Sequence, residues 1–321
     1  MDRETALAKL EELRPGGSVG GILTQGMTRS EGAAVNPRPT FGVGLTAGRG
    51  PDDFLIAVRV QDEDLLGSSR LEAVVEAVNG EAHVEYVGIL EPFTDAPTPL
   101  AGRARPLVPG CSISSTTSIA AGTLGCFVED ENGTYLLSNS HVVADFGAAG
   151  PGLPIVQPGQ LDGGSAPADV IGGLNRAVPV DLTALNVADA AIATVDRSGI
   201  EPTIPGVGRP GAIPPDPDIG DEVSKRGRTT ALTRGTVRSI NVNLKVRWPD
   251  ALVEFADLVE IEADDPTVNF AAPGDSGSLI VLGREVAPLA LLVAGRTVNG
   301  KARVYGTPMA IVLRELSVSM V

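Results

Sequence analysis

From Cys111 onward the chain is a succession of short β-type runs separated by turn residues, and no other feature constrains its fold as much. The runs are Gly122 to Val128, Tyr135 to Ser138, Ala188 to Val195, Val223 to Arg226, Gly235 to Val242, Leu252 to Ile261, Ser278 to Leu282 and Leu289 to Ala294. Aliphatic runs of this length, punctuated by Gly, Pro and Asp, predict an all-β barrel or sandwich. Composition points the same way. Gly (39) and Pro (25) make up about a fifth of the 321 residues and aromatic residues only 3%, which suits turns and short strands and excludes a long helical bundle. The loops 145–166 and 197–220 are long and rich in Gly, Pro and Asp, and loops of that length in a compact domain are often functional.

The first part of the chain reads differently. Leu7, Leu10 and Leu13 recur at helical spacing among Glu and Lys until Pro15-Gly16-Gly17 stops the pattern, so a short amphipathic helix is predicted over residues 2–14. Residues 15–38 read as loop. A strand Thr40 to Thr46, an apolar run Phe54 to Val60, a helical stretch near Ser69 to Val78 and a β-rich run Ala82 to Leu90 follow. The order β-β-α-β predicts a small α/β module within residues 1–95. Pro97, Pro99, Pro106 and Pro109 mark residues 96–110 as a linker, leaving 111–321 as the main domain.

Charge and residue counts remove several classes of function. The formal net charge of -15 repels phosphate backbones and anionic lipid, so neither nucleic acid nor a membrane surface is expected as a partner. Two cysteines, Cys111 and Cys126, cannot form a disulfide framework, and two histidines, His83 and His141, cannot form a His-rich metal centre. Residues 147–152 lack the Lys-Ser/Thr of a phosphate loop. No cofactor and no metal are expected. Without a signal-peptide pattern in Met1 to Gly16, the expected location is cytoplasmic.

The chemistry concentrates in Pro273-Gly274-Asp275-Ser276-Gly277-Ser278, a turn of small residues ahead of the apolar Leu279-Ile280-Val281. Such a turn lets the Ser276 hydroxyl project while the N–H groups of Gly274 and Ser276 converge beside it as an oxyanion hole. Taken alone, Gly-Asp-Ser-Gly is also what an ordinary turn looks like. A serine nucleophile requires a base titrating near neutrality, which leaves His83 and His141. His83 lies in an alternating strand, where a surface or structural role fits better. His141 follows Tyr135-Leu136-Leu137-Ser138-Asn139-Ser140, a strand end running into a short helix. Asp189 is an acid enclosed by small apolar residues. A carboxylate there is costly unless paired, and pairing with His141 accounts for it.

The order His141, Asp189, Ser276 is that of chymotrypsin-like proteases rather than of α/β-hydrolases, and the Gly-x-Ser-x-Gly elbow is absent because residue 278 is serine. Through Gly122-Thr123-Leu124-Gly125, Ser138-Asn139-Ser140-His141, Asp189, Gly274-Asp275-Ser276-Gly277 and the run Gly227 to Val237, residues 110–318 resemble the trypsin and chymotrypsin superfamily. With its small module in front, the chain is similar to the plant narrow-leaf type of trypsin-like protein and its bacterial relatives. The resemblance implies two six-stranded β-barrels with an active site between them. It implies His141 as general base, Asp189 as its orienter and Ser276 as nucleophile. It also implies that Val293-Ala294-Gly295 pairs with substrate backbone and that Phe270 lines the primary pocket, with a preference for small or apolar side chains.

The expected activity is hydrolysis of protein or peptide by a serine endopeptidase through an acyl-enzyme. The alternative is a latent or non-proteolytic scaffold that uses the N-terminal module for protein contacts. A third reading is esterase-like or self-cleaving activity, with Glu91 to Pro109 as the accessible segment. The module is also expected to mediate self-association, since a small sheet leaves pairing edges open. One departure from the resemblance is the missing Arg-Ile-Val-Gly-Gly activation site before Cys111. Asp275 then needs another partner, and Arg226, Arg228 and Arg234 are the expected candidates.

Overall fold

The computed structural model describes residues 1–14, 41–92, 101–211, 216–283, 285–298 and 301–321, with the side chain of Lys301 excepted. The expected loop 15–38, residue 40 of the first strand, and Pro97 and Pro99 of the linker lie outside the described residues.

In chain order the strands are β1 (Phe41–Ala47), β2 (Phe54–Val60), β3 (Ala82–Tyr86), β4 (Glu91–Pro92), β5 (Ser112–Ser115), β6 (Gly122–Thr123), β7 (Cys126–Asp130), β8 (Gly133–Ser138), β9 (Pro154–Val156) and β10 (Val170–Ala177). They continue with β11 (Leu185–Asn186), β12 (Ala191–Thr194), β13 (Glu222–Gly227), β14 (Ala231–Arg247), β15 (Leu252–Ala263), β16 (Leu279–Leu282), β17 (Ala287–Val298), β18 (Lys301–Pro308) and β19 (Ser319–Met320). The helices are α1 (Arg3–Leu13), α2 (Ser69–Ala77), α3 (Ser140–Val143) and α4 (Met309–Leu316).

The chain is mainly β, with two curled sheets. In the second, β13, β14, β15, β18, β17 and β16 pair in turn and β16 returns to β13, which closes a six-stranded antiparallel barrel. In the first, β5, β9, β10, β12, β8 and β7 follow one another. Its closure passes through Leu124, between β6 and β7, whose N–H donates to Cys111 O at 2.9 Å and whose carbonyl accepts from Gly110 N at 2.7 Å. Each barrel has its own apolar interior, with Ile113, Leu136 and Ala193 in the first and Val237, Ile261 and Ile280 in the second. Closure leaves few free edges, as the turn-rich composition requires.

The N-terminal module is built onto the second barrel. β1 pairs with β2 along its length, and Leu45 and Thr46 face Ile240 and Ser239 of β14, so module and barrel share one 11-stranded sheet. α1 begins at Asp2, whose carboxylate accepts from Thr5 N at 2.8 Å. It buries Ala6, Leu10 and Leu13 against this sheet, each leucine worth about 2 kcal/mol of apolar transfer. The expected stripe Leu7, Leu10, Leu13 is thus rotated, and Leu7 is exposed. Of the β-rich run expected from Ala82 to Leu90 only Ala82–Tyr86 is strand, as β3; Leu90 makes an isolated bridge to Val246, and the chain then meets β17 as β4. The C-terminal helix α4 and the strands β9, β10 and β18 go beyond the sequence expectation. Thr307-Pro308 and the alternating Lys301-Ala302-Arg303 mask β18 and the helix that follows it. In the linker, Leu107 pairs with Ile200 and Ala104 N donates to Gln157 Oε1 at 2.9 Å, so residues 101–110 are fastened to the first barrel.

Candidate active site

β8 and β12 lie antiparallel with Ser138 opposite Ala191. This register places His141, three residues beyond one strand end, beside Asp189, two residues before the other strand begins. His141 Nδ1 contacts Asp189 Oδ2, and both side chains are buried. The other carboxylate oxygen accepts from Ser140 Oγ at 2.5 Å and from His141 N at 3.2 Å. Asn139 Nδ2 fixes the Asp189 carbonyl at 2.7 Å. Burial raises the Asp189 pKa, but the charge of His141 and the hydrogen bonds from His141 and Ser140 outweigh it, holding the acid below its ordinary value. An ionised Asp189 only accepts, so His141 Nδ1 is the donor in this contact.

Ser276 comes from the other barrel. Its turn is gripped by β6: Thr123 N donates to Ser276 O at 2.8 Å and Thr123 Oγ1 to Gly274 O at 2.8 Å. Gly274 and Gly277 have φ of +97° and +90°, and a Cβ on Gly277 would lie 2.3 Å from Ser138 Oγ, so side chains are excluded from both positions. Gly274 N–H donates to no backbone acceptor among the described residues. Ser276 Oγ donates to Val293 O at 3.1 Å, and His141 Nε2 is buried without a hydrogen bond among the described residues. Ser276 and His141 thus make no hydrogen bond to each other.

Two aromatic rings lie against His141. The ring centroids of Phe146 and Trp248 lie 5.8 and 6.1 Å from that of His141, and Trp248 Nε1 donates to Phe146 O at 3.3 Å. Asp145 and Phe146 both hold positive φ, 50° and 57°, a backbone arrangement costing of order 1–3 kcal/mol per residue.

The Asp275 partner is Lys225 rather than an arginine. Lys225 Nζ lies 3.0 Å from Asp275 Oδ2, and the carboxylate also accepts from Thr229 N, Thr230 N, Thr230 Oγ1 and Ala272 N. Arg228 instead forms a forked pair with Asp162 of the first barrel, and Arg226 donates to Pro205 O. Lys225 alternates with partly exposed residues in β13, so its inward direction could have been read from strand period; its position inside a barrel could not.

Phe270 lies beside this pair, with Lys225 Nζ 5.8 Å from its ring centroid. It is packed with Val237, Ile261 and Ile280 and has no accessible surface. Val293, Ala294 and Gly295 are buried on β17, where Ala294 and Gly295 pair with Pro92 and Glu91. His83 is exposed on β3 and apart from the site, its Nδ1 3.3 Å from Arg59. Sequence reasoning missed Ser140, Lys225, Phe146 and Trp248.

No family model matches the sequence, and no curated protein matches it. Among solved structures the chain is similar to a glutamic acid specific serine protease, with 18% identity, a TM-score of 0.49, and coverage of 67% of this chain and 100% of that one. Thermobifida fusca protease A gives 15% identity and a TM-score of 0.47, covering 67% of this chain and 97% of that one. Cellulomonas bogoriensis chymotrypsin gives 18% and 0.46 with the same coverages. At these values the reading of the site rests on the geometry of its own residues.

Proposed function

We propose that the chain is a serine endopeptidase acting through an acyl-enzyme, and the buried His141–Asp189 contact in one site with Ser276 carries this reading. Rotation of Ser276 Oγ between staggered positions, away from Val293 O, directs it at His141 Nε2. Oγ attacks the scissile carbonyl carbon while its proton passes to Nε2, and Asp189 stabilises the resulting imidazolium. Negative charge collects on the former carbonyl oxygen, where the N–H groups of Gly274 and Ser276 donate to it. His141 then returns the proton to the leaving amine as the C–N bond breaks. Water deacylates the serine by the same proton path.

Phe270 is fully buried in the core of the second barrel and so does not line an open primary pocket, and the expected preference for small or apolar side chains rests on the resemblance alone. The hydrogen bond of Ser276 to Val293 O in place of His141 supports a latent resting state, which is what the scaffold reading has in its favour. For self-association, β3 is the terminal strand of its sheet and exposes Val84; light scattering at the 32.9 kDa monomer mass would contradict it. No described helix is long and apolar enough to cross a membrane.

The test is intact-mass labelling with a fluorophosphonate. Wild type should take up one label, and Ser276→Ala and His141→Ala none. A folded wild type left unlabelled under every condition counts against catalysis.

A further inference from the structure

β17 offers one edge to β18 and the other to β4: Ala294 faces Tyr305 on one side and Pro92 on the other, and Gly295 faces Val304 and Glu91. The β4 side is the edge along which an extended peptide would reach Ser276. It is occupied by the chain itself, in the antiparallel direction a bound peptide would take. The approach is fastened at successive residues, with Arg296 donating to Ile89 O at 3.0 Å and Arg247 N to Leu90 O at 2.9 Å. Leu90 is fully buried in the apolar cluster that contains Val246, Trp248, Val293 and Ala294. Glu91 stays in solvent, its carboxylate 3.4 Å from Arg247 Nε. Pro92 has no N–H to offer a ladder, so it suits an edge position of this kind.

We infer that the β17 groove is a binding site for an extended peptide segment with an apolar, an acidic and a proline residue in succession, and that Leu90-Glu91-Pro92 is its resident occupant. This rests on the reading of Val293–Gly295 as the substrate edge and adds side-chain selectivity to it. The apolar residue fills the cluster beside Trp248, the acid meets Arg247, and the proline lies opposite Ala294. Because the occupant is tethered, its effective concentration is of the order of millimolar or above, and a free peptide of the same sequence competes poorly until the segment is weakened. Substrates therefore enter only when Leu90–Pro92 leaves.

Trp248 is the single tryptophan of the chain, so its emission reports on the groove independently of catalysis. Leu90→Asp should move that emission to the red and speed fluorophosphonate labelling of Ser276 at least tenfold. The exposed Glu91–Arg247 pair is weaker, and Glu91→Arg should speed labelling about two- to fivefold, with Glu91→Arg/Arg247→Glu returning both readouts toward wild type. Acetyl-Leu-Glu-Pro-amide should slow labelling of Leu90→Asp far more than that of wild type. Folded variants with unchanged emission and unchanged labelling would overturn the inference, as would an equal effect of the peptide on both proteins. A red shift reversed by the peptide, with Ser276 unlabelled throughout, would uphold the groove and overturn the catalytic reading instead.

Discussion

Lys225 Nζ lies 3.0 Å from Asp275 Oδ2, and neither side chain has any contact with solvent. Burial lowers the Lys225 pKa, and the Asp275 charge and hydrogen bond oppose that only in part. Asp275 immediately precedes Ser276, so the pair holds the Gly274-Asp275-Ser276 turn to β13 of the second barrel.

Lys225→Met leaves Asp275 buried with one charge uncompensated, a loss of about 3–5 kcal/mol. Urea unfolding should show it directly. Adding Asp275→Asn should recover part of the stability but not the labelling of Ser276, since the turn loses the anion that Thr229 N, Thr230 N and Ala272 N converge on.

Ser140 donates to the oxygen of Asp189 opposite the one that meets the His141 ring nitrogen. Ser140→Ala removes a hydrogen bond to an ionised group, worth about 1.5–3 kcal/mol. The expected result is a folded protein of slightly lower stability labelled about tenfold more slowly, because Asp189 orients the imidazole less well. A loss of stability with an unchanged labelling rate would make Ser140 merely structural.

The order of His141, Asp189 and Ser276 is legible in the sequence because each stands in a distinctive local pattern: a histidine at a strand end, an acid among alanines, a serine in a glycine turn. The strands of the module are legible as short apolar or β-rich runs between turn residues. What is not legible is long-range. Nothing within Glu91-Pro92 announces that it pairs with residues two hundred positions away. The helix α1 stands where the leucine spacing predicts it, but its buried face is turned toward Ala6, because an alanine signals burial weakly beside three leucines. Likewise the Lys225–Asp275 pair depends on the register of β13 with β16, in which Lys225 faces Ile280, whereas the sequence alone favours an arginine only because arginines are numerous nearby.

A second buried charge cluster ties the module to the barrel. Arg59 on β2 donates to Glu260 on β15 at 2.7 Å, and Tyr305 to the same carboxylate at 3.1 Å. Burial raises the Glu260 pKa, but the Arg59 charge and its hydrogen bonds reverse the direction and hold it below the ordinary value. A carboxylate depressed in the folded state contributes stability above its unfolded pKa of about 4.3 that is lost as pH falls through the folded pKa. Stability in urea should therefore be flat near neutrality and decline below about pH 4. Glu260→Gln should be less stable at pH 7 and show a shallower acid decline; an acid slope equal to wild type would show that this pair does not govern it.

The two thiols give independent checks on two apolar clusters, Cys111 inside the first barrel and Cys126 in the cluster that holds Val128, Leu137 and Met309. Cys111 and Cys126 are both buried, and burial pushes each pKa up to about 12. Since the thiolate is the nucleophile, the native protein at pH 8 presents almost none of it, and neither thiol is open to solvent. Iodoacetamide should leave the native mass unchanged over hours and add two groups in denaturant. Local opening of β7 or of the Cys111 segment would appear as a single early modification. Cys126 alkylated ahead of Cys111 would place that opening in the β7–β8 hairpin, whereas rapid modification of both would contradict the burial of the two thiols.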